Sequence, residues 1–372
     1  MIRATSTGEQ IQRPARMDPN FPVPVPDSLS HEADRDPDVP SVSIYMPAYN
    51  AVDTIVPAIR SALEQTVDDI ELCVVDDGST DGTADLITET FSDDKRVRLE
   101  RQVNSGIGAA SNRAVRMCRA PFIGQLDADD QLLPNAVGRM WGVLRSNPSI
   151  GVAYSSSELI DEDGTRIGNS YEYPRYSRFD LMYLMIVHHF RMFRARDWYR
   201  TSGFATDITN AVDYDMYLKL AEVTDMVHIP EQLYQYRKLK TSTSQAEHAT
   251  QRANHRLAVQ RALDRRGLGG HWKLAPDQPL DPRAYEFVER DGEPGHFGRD
   301  LDLVRLSLFT GWNRDAMVGA LQQMFPAWTI EKRRRLGEPR IESPPLSHAR
   351  AIRLIDCIAE QFPHCTIRLV YA

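Results

Sequence analysis

From Val42 onward the chain alternates short apolar, β-branched runs with runs of helical period, and no other feature limits its fold so tightly. VSIYMP (42–47), IELCVV (70–75), RVRLERQ (96–102) and PFIGQL (121–126) read as strands. TIVPAIRSALEQT (54–66), a segment from about Thr83 to Phe91, and AASNRAVRMCR (109–119) read as the helices between them. Strands separated by helices form βαβ units, so the expected fold is α/β, a doubly wound, mostly parallel sheet flanked by helices. Thr54 is expected to cap the first helix, which places Pro57 in its first turn, where a missing N–H does no harm.

Three of these strands run into polar turns: AYN (48–50), DDGSTD (76–81) and DADD (127–130). Ligands bind beyond the carboxyl ends of the strands in such sheets, so the three turns are expected to converge on one crevice. Two carboxylates one residue apart can grip Mg²⁺ or Mn²⁺, which in turn bridges a diphosphate. The same letters also make ordinary structure: DADD can be an acidic turn before the helix that follows Pro134, and DDGST a turn and helix cap. A third acidic element, VDYD (212–215), opens a helix after the loop TSGFATDITNA. Its carboxylates can serve the helix dipole or, facing the crevice, act as a general base.

Beyond the fourth strand, AVGRMWGVLRSN is expected as a helix and GVAYSSSELID as a strand. HHFRMFRA (188–195) is expected as a strand near the site, with His189, Arg191 and Phe193 on one face. His189 could then ligate a metal, and Arg191 could bind a uronate carboxylate. Residues 1–40, with prolines at 14, 19, 22, 24, 26, 37 and 40, form an arm without periodicity. The main domain is expected over 41–245, a helical connector over 246–270, and a smaller α/β or mainly helical region over 271–372. That last region holds two helix-like segments, RDAMVGALQQMF and SHARAIRLIDCIAEQF, and a final strand, TIRLVYA.

Composition removes several classes of function. A net charge of −8 opposes general nucleic-acid binding. The four cysteines, at 73, 118, 357 and 365, have neither CxxC nor zinc-like spacing, which suits reduced thiols in a cytoplasmic protein. No apolar run approaches the ~20 residues that span a bilayer, and LMYLMIV (181–187) is far too short. Peripheral attachment at the inner membrane face and homo-oligomerisation through the C-terminal region stay open.

Taken in order, VSIYMPAYN, VVDDGSTD, the Asn104-x-Gly106 turn, LDADD and the late VDYD resemble the family 2 glycosyltransferases of GT-A fold over roughly residues 41–245. Within that family, GQLDADD, HHFRMF and GFATDITNAVDYDMYLKLAEV look most like the glucuronic-acid-transferring module of bacterial chondroitin polymerases and two-module hyaluronan synthases. The resemblance implies an inverting transfer from an NDP-sugar, most often UDP-linked, to a hydroxyl of a saccharide or other acceptor, with a divalent metal. It implies that Pro47, Ala48 and Tyr49 line the nucleotide pocket, with Asn104 and Gly106, and that Asp77 binds uracil or ribose. Asp129 becomes the principal metal ligand, with Asp127 between ribose and metal; Asp213 becomes the base, and Gly203 and Phe204 shape the acceptor side. Val212 stands where the family has a Glu, which leaves the base between Asp213 and Asp215. The late Tyr-Arg-x-His pattern is Tyr236-Arg237-Lys238-Leu239 here, so Arg237, Lys238 or Lys240 is expected to meet phosphate. A sugar nucleotidyltransferase would open with a Gly-rich basic loop where this chain has MPAYNAVDT. A non-catalytic nucleotide-sugar-binding module would not need all three acidic sites.

Overall fold

The computed structural model describes residues 38–170, 176, 178–238, 248–270 and 272–274, and the backbone of six further strands between 287 and 371. Four parallel strands come first: β1 (Val42–Ala48), β2 (Ile70–Asp76), β3 (Val97–Arg101) and β4 (Phe122–Gln125). They are joined by α1 (Ile55–Leu63), α2 (Thr83–Phe91) and α3 (Ile107–Met117). Their spatial order, β3-β2-β1-β4, reverses direction between β1 and β4, which is the switch point where such sheets open a crevice.

The sheet then continues with mixed polarity. The later elements are β5 (Gln131–Leu132), α4 (Ala136–Ser146), β6 (Ile150–Ile160), β7 (Arg166–Asn169), α5 (Arg178–Tyr183), β8 (Arg191–Arg194), α6 (Ala195–Trp198), α7 (Val212–Val223), β9 (Asp225–Arg237) and α8 (His248–Arg265). β8 lies antiparallel between β4 and β6, β9 runs parallel to β6, and β5 and β7 add antiparallel edges. The expected strand at 188–195 is therefore shorter, because His188 to Phe190 lie outside the ladder.

Strand alternation supplies a core on each face. Val42, Ile44 and Met46 of β1 pack with Leu72, Val74, Ala58, Ile59, Ile87 and Met140 on one side. Tyr45, Cys73, Val75, Ile123 and Phe193 pack with α3, α7 and α8 on the other. The segment at 246–270 is helical as expected, and α8 buries Ala258, Val259, Ala262 and Leu263 in that second core. Thr54 does not cap α1 with its side chain either; its hydroxyl donates to the Ala128 carbonyl at 3.0 Å and ties the helix start to the acidic turn.

Backbone proximity fixes two glycines. A Cβ at Gly108 would fall 2.0 Å from the Ala205 carbonyl oxygen, so α3 can run against the 203–207 loop only without a side chain there. Gly203 holds φ at +69°, and a Cβ there would strike Asn112 Oδ1. Asn112 instead accepts from Phe204 N–H and donates to the Phe204 carbonyl, both at 2.8 Å.

In the C-terminal region β10 (Trp272–Leu274) pairs with β11 (Phe287–Glu289). β12 (Leu303–Thr310), β13 (Thr329–Lys332), β14 (Pro339–Glu342), β15 (Leu346–Ser347) and β16 (Cys365–Tyr371) form an antiparallel sheet. β16 includes most of the expected final strand, whereas the two helix-like segments lie outside the described residues.

Candidate active site

The parallel register puts Ala48 beside Asp76 and Tyr45 beside Gln125, so the turns after β1, β2 and β4 share one edge of the sheet. Hydrogen bonds then stitch those turns together. Asn50 N–H donates to Ser79 Oγ (2.9 Å), and Thr80 N–H donates to Asn50 Oδ1 (2.9 Å). Pro47 and Ala48 close β1, while Tyr49 stands 52% exposed beyond it with its ring available to a base.

Asp77 is buried, and both carboxylate oxygens are engaged. It accepts from Gln102 Nε2 (2.7 Å), Ser105 N–H (2.8 Å) and Gly106 N–H (2.9 Å). It therefore fixes the exposed Asn104–Gly106 turn as part of the crevice wall, a task that the residue pattern alone did not reveal.

The acidic turn distributes its three carboxylates unequally. Asp130 is buried and accepts from Arg237 N–H at 2.7 Å; burial first, then Asp129 and Asp127, push its carboxyl well above the ordinary range. Burial also opposes ionisation of Asp127, yet the neighbouring His189, Gln125 and Arg191 outweigh it and hold this carboxyl low. Asp129 is pushed up to about 6 by burial and then by Asp127. Its own backbone N–H and the charge of Arg237 pull the other way but do not outweigh these. A half-buried, repelled oxygen donor beside a second carboxylate suits a hard divalent cation, which commonly takes one or two carboxylates and completes its shell with phosphate oxygens. Among the described residues no three His, Cys, Asp or Glu side chains already enclose such an ion.

His189 Nε2 lies 3.2 Å from Asp127 Oδ2, and the ring stacks on Tyr234 at 4.9 Å. Burial, then Arg191, disfavour its protonation. His189 is thus placed directly beside Asp127.

Asp213 stands in the first turn of α7 with its side chain 38% exposed. Arg191 Nη2 donates to its Oδ2 at 2.9 Å, and Tyr214 N–H to its Oδ1 at 2.8 Å. Burial works against ionisation, but Arg191, then His189 and His255, prevail and keep this carboxyl below the usual range. An ionised carboxylate near the acidic turn, with a face open to solvent, can accept a proton.

The glycosyl transferase family 2 model matches residues 43–201. Residues 43–201 are a family 2 glycosyltransferase domain. The chain is 47% identical to the chondroitin synthase of Escherichia coli over 256 residues, covering 68% of this chain and 37% of that protein. It is 42% identical to the hyaluronan synthase of Pasteurella multocida over 267 residues, covering 72% of this chain and 27% of that protein. The chain therefore spans well under half the length of these relatives. Among solved structures, S. aureus TarS 1-349 in complex with UDP-GlcNAc superposes with a TM-score of 0.50 at 16% identity, covering 62% of this chain and 70% of that one. The likeness is one of fold, and the fold is GT-A.

Within the transferase domain and the helices that follow it, four expectations are corrected. Arg191 does not face a sugar carboxylate: it is 2% exposed, committed to Asp213, and covered by the Tyr217 ring 5.0 Å away. Arg237 does not face phosphate. Its guanidinium donates to the carbonyls of Asp129 (2.8 Å), Asp161 (2.9 Å) and Glu162 (2.8 Å), clipping the acidic turn to the β6–β7 hairpin; Lys240 lies outside the described residues. Asp215 is fully buried on the opposite face of α7 from Asp213, paired with Lys219 at 2.6 Å and Arg265 at 3.5 Å. Gly203 and Phe204 are inside the fold as well: Lys219 Nζ donates to the Gly203 carbonyl, and the Phe204 ring packs on Tyr45. A cleft of about 660 Å³ opens beside this group, lined by Asn112, Asp215, Lys219 and Arg265, and contains neither Asp129 nor Asp213.

The elevated Asp129 carboxyl gives a stability prediction. Its folded-state value, about 6, exceeds the unfolded value, so the ionised group costs stability above pH 6 and that cost fades as pH falls. Without metal, Asp129→Asn should raise unfolding free energy by about 2 kcal/mol at pH 8 and by almost nothing at pH 4. Urea melts at the two pH values check this, and an unstabilised variant at pH 8 would refute it.

Proposed function

We propose that this chain is a metal-dependent, inverting glycosyltransferase that moves a sugar from a UDP-sugar to a hydroxyl of a saccharide acceptor, with Asp213 as the general base. The observation that carries the reading is the half-exposed, ionised Asp213, joined to Asp127 of the acidic turn through Arg191 and Gln125. Tyr49 and the turn held by Asp77 form the nucleoside wall. Asp129 and Asp127 would hold Mn²⁺ or Mg²⁺, which when bound supplies charge neutralisation for a diphosphate. Asp213 takes the proton from the acceptor hydroxyl as that oxygen bonds to C1 of the α-linked sugar. The bond from C1 to the UDP oxygen breaks with its electron pair, and the product carries a β-linkage.

Similarity to chondroitin and hyaluronan synthases makes UDP-glucuronic acid the first donor to test, with UDP-N-acetylhexosamines and UDP-hexoses beside it, and glycosaminoglycan oligosaccharides the first acceptors. Arg191 offers no support for a uronate, since its charge is spent on Asp213. Melting temperature measured against a UDP-sugar panel with Mn²⁺ tests the reading, because a ligand held only by the folded state raises stability by RT ln(1 + [L]/Kd). The expected result is one donor that shifts the midpoint by several degrees with metal, much less without metal, and much less in Asp129→Asn. No shift and no UDP release with any donor would overturn the reading.

A further inference from the structure

We infer that Gln125 and Arg191 are positioning residues that hold the base carboxylate of Asp213 and the donor-side carboxylate of Asp127 in one fixed relation. The inference rests on the transferase reading and adds to it a link between acceptor activation and donor binding. β4 and β8 pair with Gln125 directly opposite Arg191, and the same row runs on to Tyr45 in β1 and Tyr154 in β6. Side chains in one row of a sheet point to one face, so register alone brings the amide and the guanidinium together.

Gln125 then uses both ends of its amide. Its Oε1 accepts from Arg191 Nη1 at 3.4 Å, and its Nε2 donates to Asp127 Oδ1 at 3.1 Å. Arg191 spreads the rest of its fork: Nε donates to the Val187 carbonyl at 2.8 Å, and Nη2 to Asp213 Oδ2 at 2.9 Å. Asp127 and Asp213 are thereby joined through two intervening side chains, both buried, one from β4 and one from β8. A planar guanidinium suits this task because its donors leave in fixed directions, whereas a lysine ammonium offers one point of charge.

Chemistry restricts Gln125 just as closely. A glutamate would still accept from Arg191 but would set a carboxylate against Asp127, and a leucine would serve neither neighbour. The hydroxyls of Tyr45 and Tyr217 are buried, lack a hydrogen-bond partner among the described residues, and are in electrostatic reach of Arg191, Asp127 and Asp213. They provide no substitute anchor for either carboxylate.

The test compares wild type, Gln125→Leu, Gln125→Glu and Arg191→Lys, with UDP release in the presence of Mn²⁺ and acceptor measured alongside donor affinity by calorimetry. Arg191→Lys is expected to lose at least tenfold in kcat while acceptor-independent donor Kd moves less than threefold; Gln125→Leu, which also releases Asp127, is expected to lose at least tenfold in kcat with donor Kd weakened three- to tenfold. Gln125→Glu, which repels Asp127, is expected to weaken donor binding at least tenfold as well. Loss of folding alone would not split kcat from donor Kd in this way. A wild type that turns over no donor overturns the transferase reading and this inference with it. A wild type that turns over while either Gln125→Leu or Arg191→Lys, folded by circular dichroism, keeps its kcat overturns the inference alone. Should Gln125→Leu fail to fold, Arg191→Lys and Gln125→Glu decide between the same outcomes.

Discussion

Asp213→Asn is expected to lower kcat by 10²–10⁴-fold, the range in which a positioned general base contributes. Asn can still accept from Arg191 Nη2, but the buried guanidinium loses the carboxylate that best offsets its charge, so some stability should be lost and the kinetics are read at temperatures where the variant stays folded. Donor affinity should survive, since among the described residues the hydrogen bonds of Asp213 lead to Asp127 indirectly, by way of Arg191 and Gln125. The lowered pKa of Asp213 has a second consequence. Its carboxyl is held below the usual range, so the base stays ionised throughout the neutral region and should place no acid limb on kcat/KM near pH 6. Steady-state kinetics of the variant with calorimetric donor binding check the assignment, and a kcat within threefold of wild type would end it.

The sequence made most of this site legible, for a physical reason that also marks where legibility stops. Strand termini announce themselves through Pro47, Gly78 and the aspartates, and a parallel sheet delivers all such termini to one edge. The crevice could therefore be placed from VSIYMPAYN, VVDDGSTD and LDADD without knowing any contact. Helical geometry likewise shows that Asp213 and Asp215, two positions apart and about 200° around the axis, cannot share a face. It does not show which of them meets the crevice, because α7 is buried on nearly every side, from Tyr214 to Ala221.

Side-chain partners were the illegible part. Arg191 and Arg237 read as anion contacts because arginine near an active site has that chemistry. Their actual partners depend on cross-strand register and on carbonyls more than 70 residues away in the chain for Arg237, which no local pattern encodes. Gln125 carries no local signal for a similar reason: PFIGQL reads as a plain strand, and the role of Gln125 comes from standing opposite Arg191. The packing of α8 was hidden too, since its buried residues are mostly small and its polar residues pair with α7 and the preceding loop.

Asp215→Ala should cost about 3–5 kcal/mol of stability while leaving chemistry nearly intact, the reverse of the change two residues earlier. Asp215 is wholly buried and supplies the carboxylate for Lys219, itself only 9% exposed at the side chain, and for Arg265 of α8. Burial already pulls the Lys219 amine below its ordinary value, against the opposing pull of Asp215; without that carboxylate, the Gly203 carbonyl is left as its one strong acceptor. Removing one partner of a buried pair leaves the other charge uncompensated, which is why the single change should be so harmful. Replacing both, as Asp215→Leu with Lys219→Leu, should restore more than half of the loss, because two apolar side chains of suitable volume need no solvation. The expected fall in melting temperature for Asp215→Ala is on the order of 10 °C. Urea denaturation of Asp215→Leu, Lys219→Leu and the double variant closes a cycle whose coupling energy should exceed roughly 2 kcal/mol. A loss below 1 kcal/mol for Asp215→Ala, or a double variant less stable than both singles, would show that this cluster does not hold α7 against α8; a parallel loss of kcat at temperatures where the variant stays folded would return Asp215 to the catalytic side of the helix.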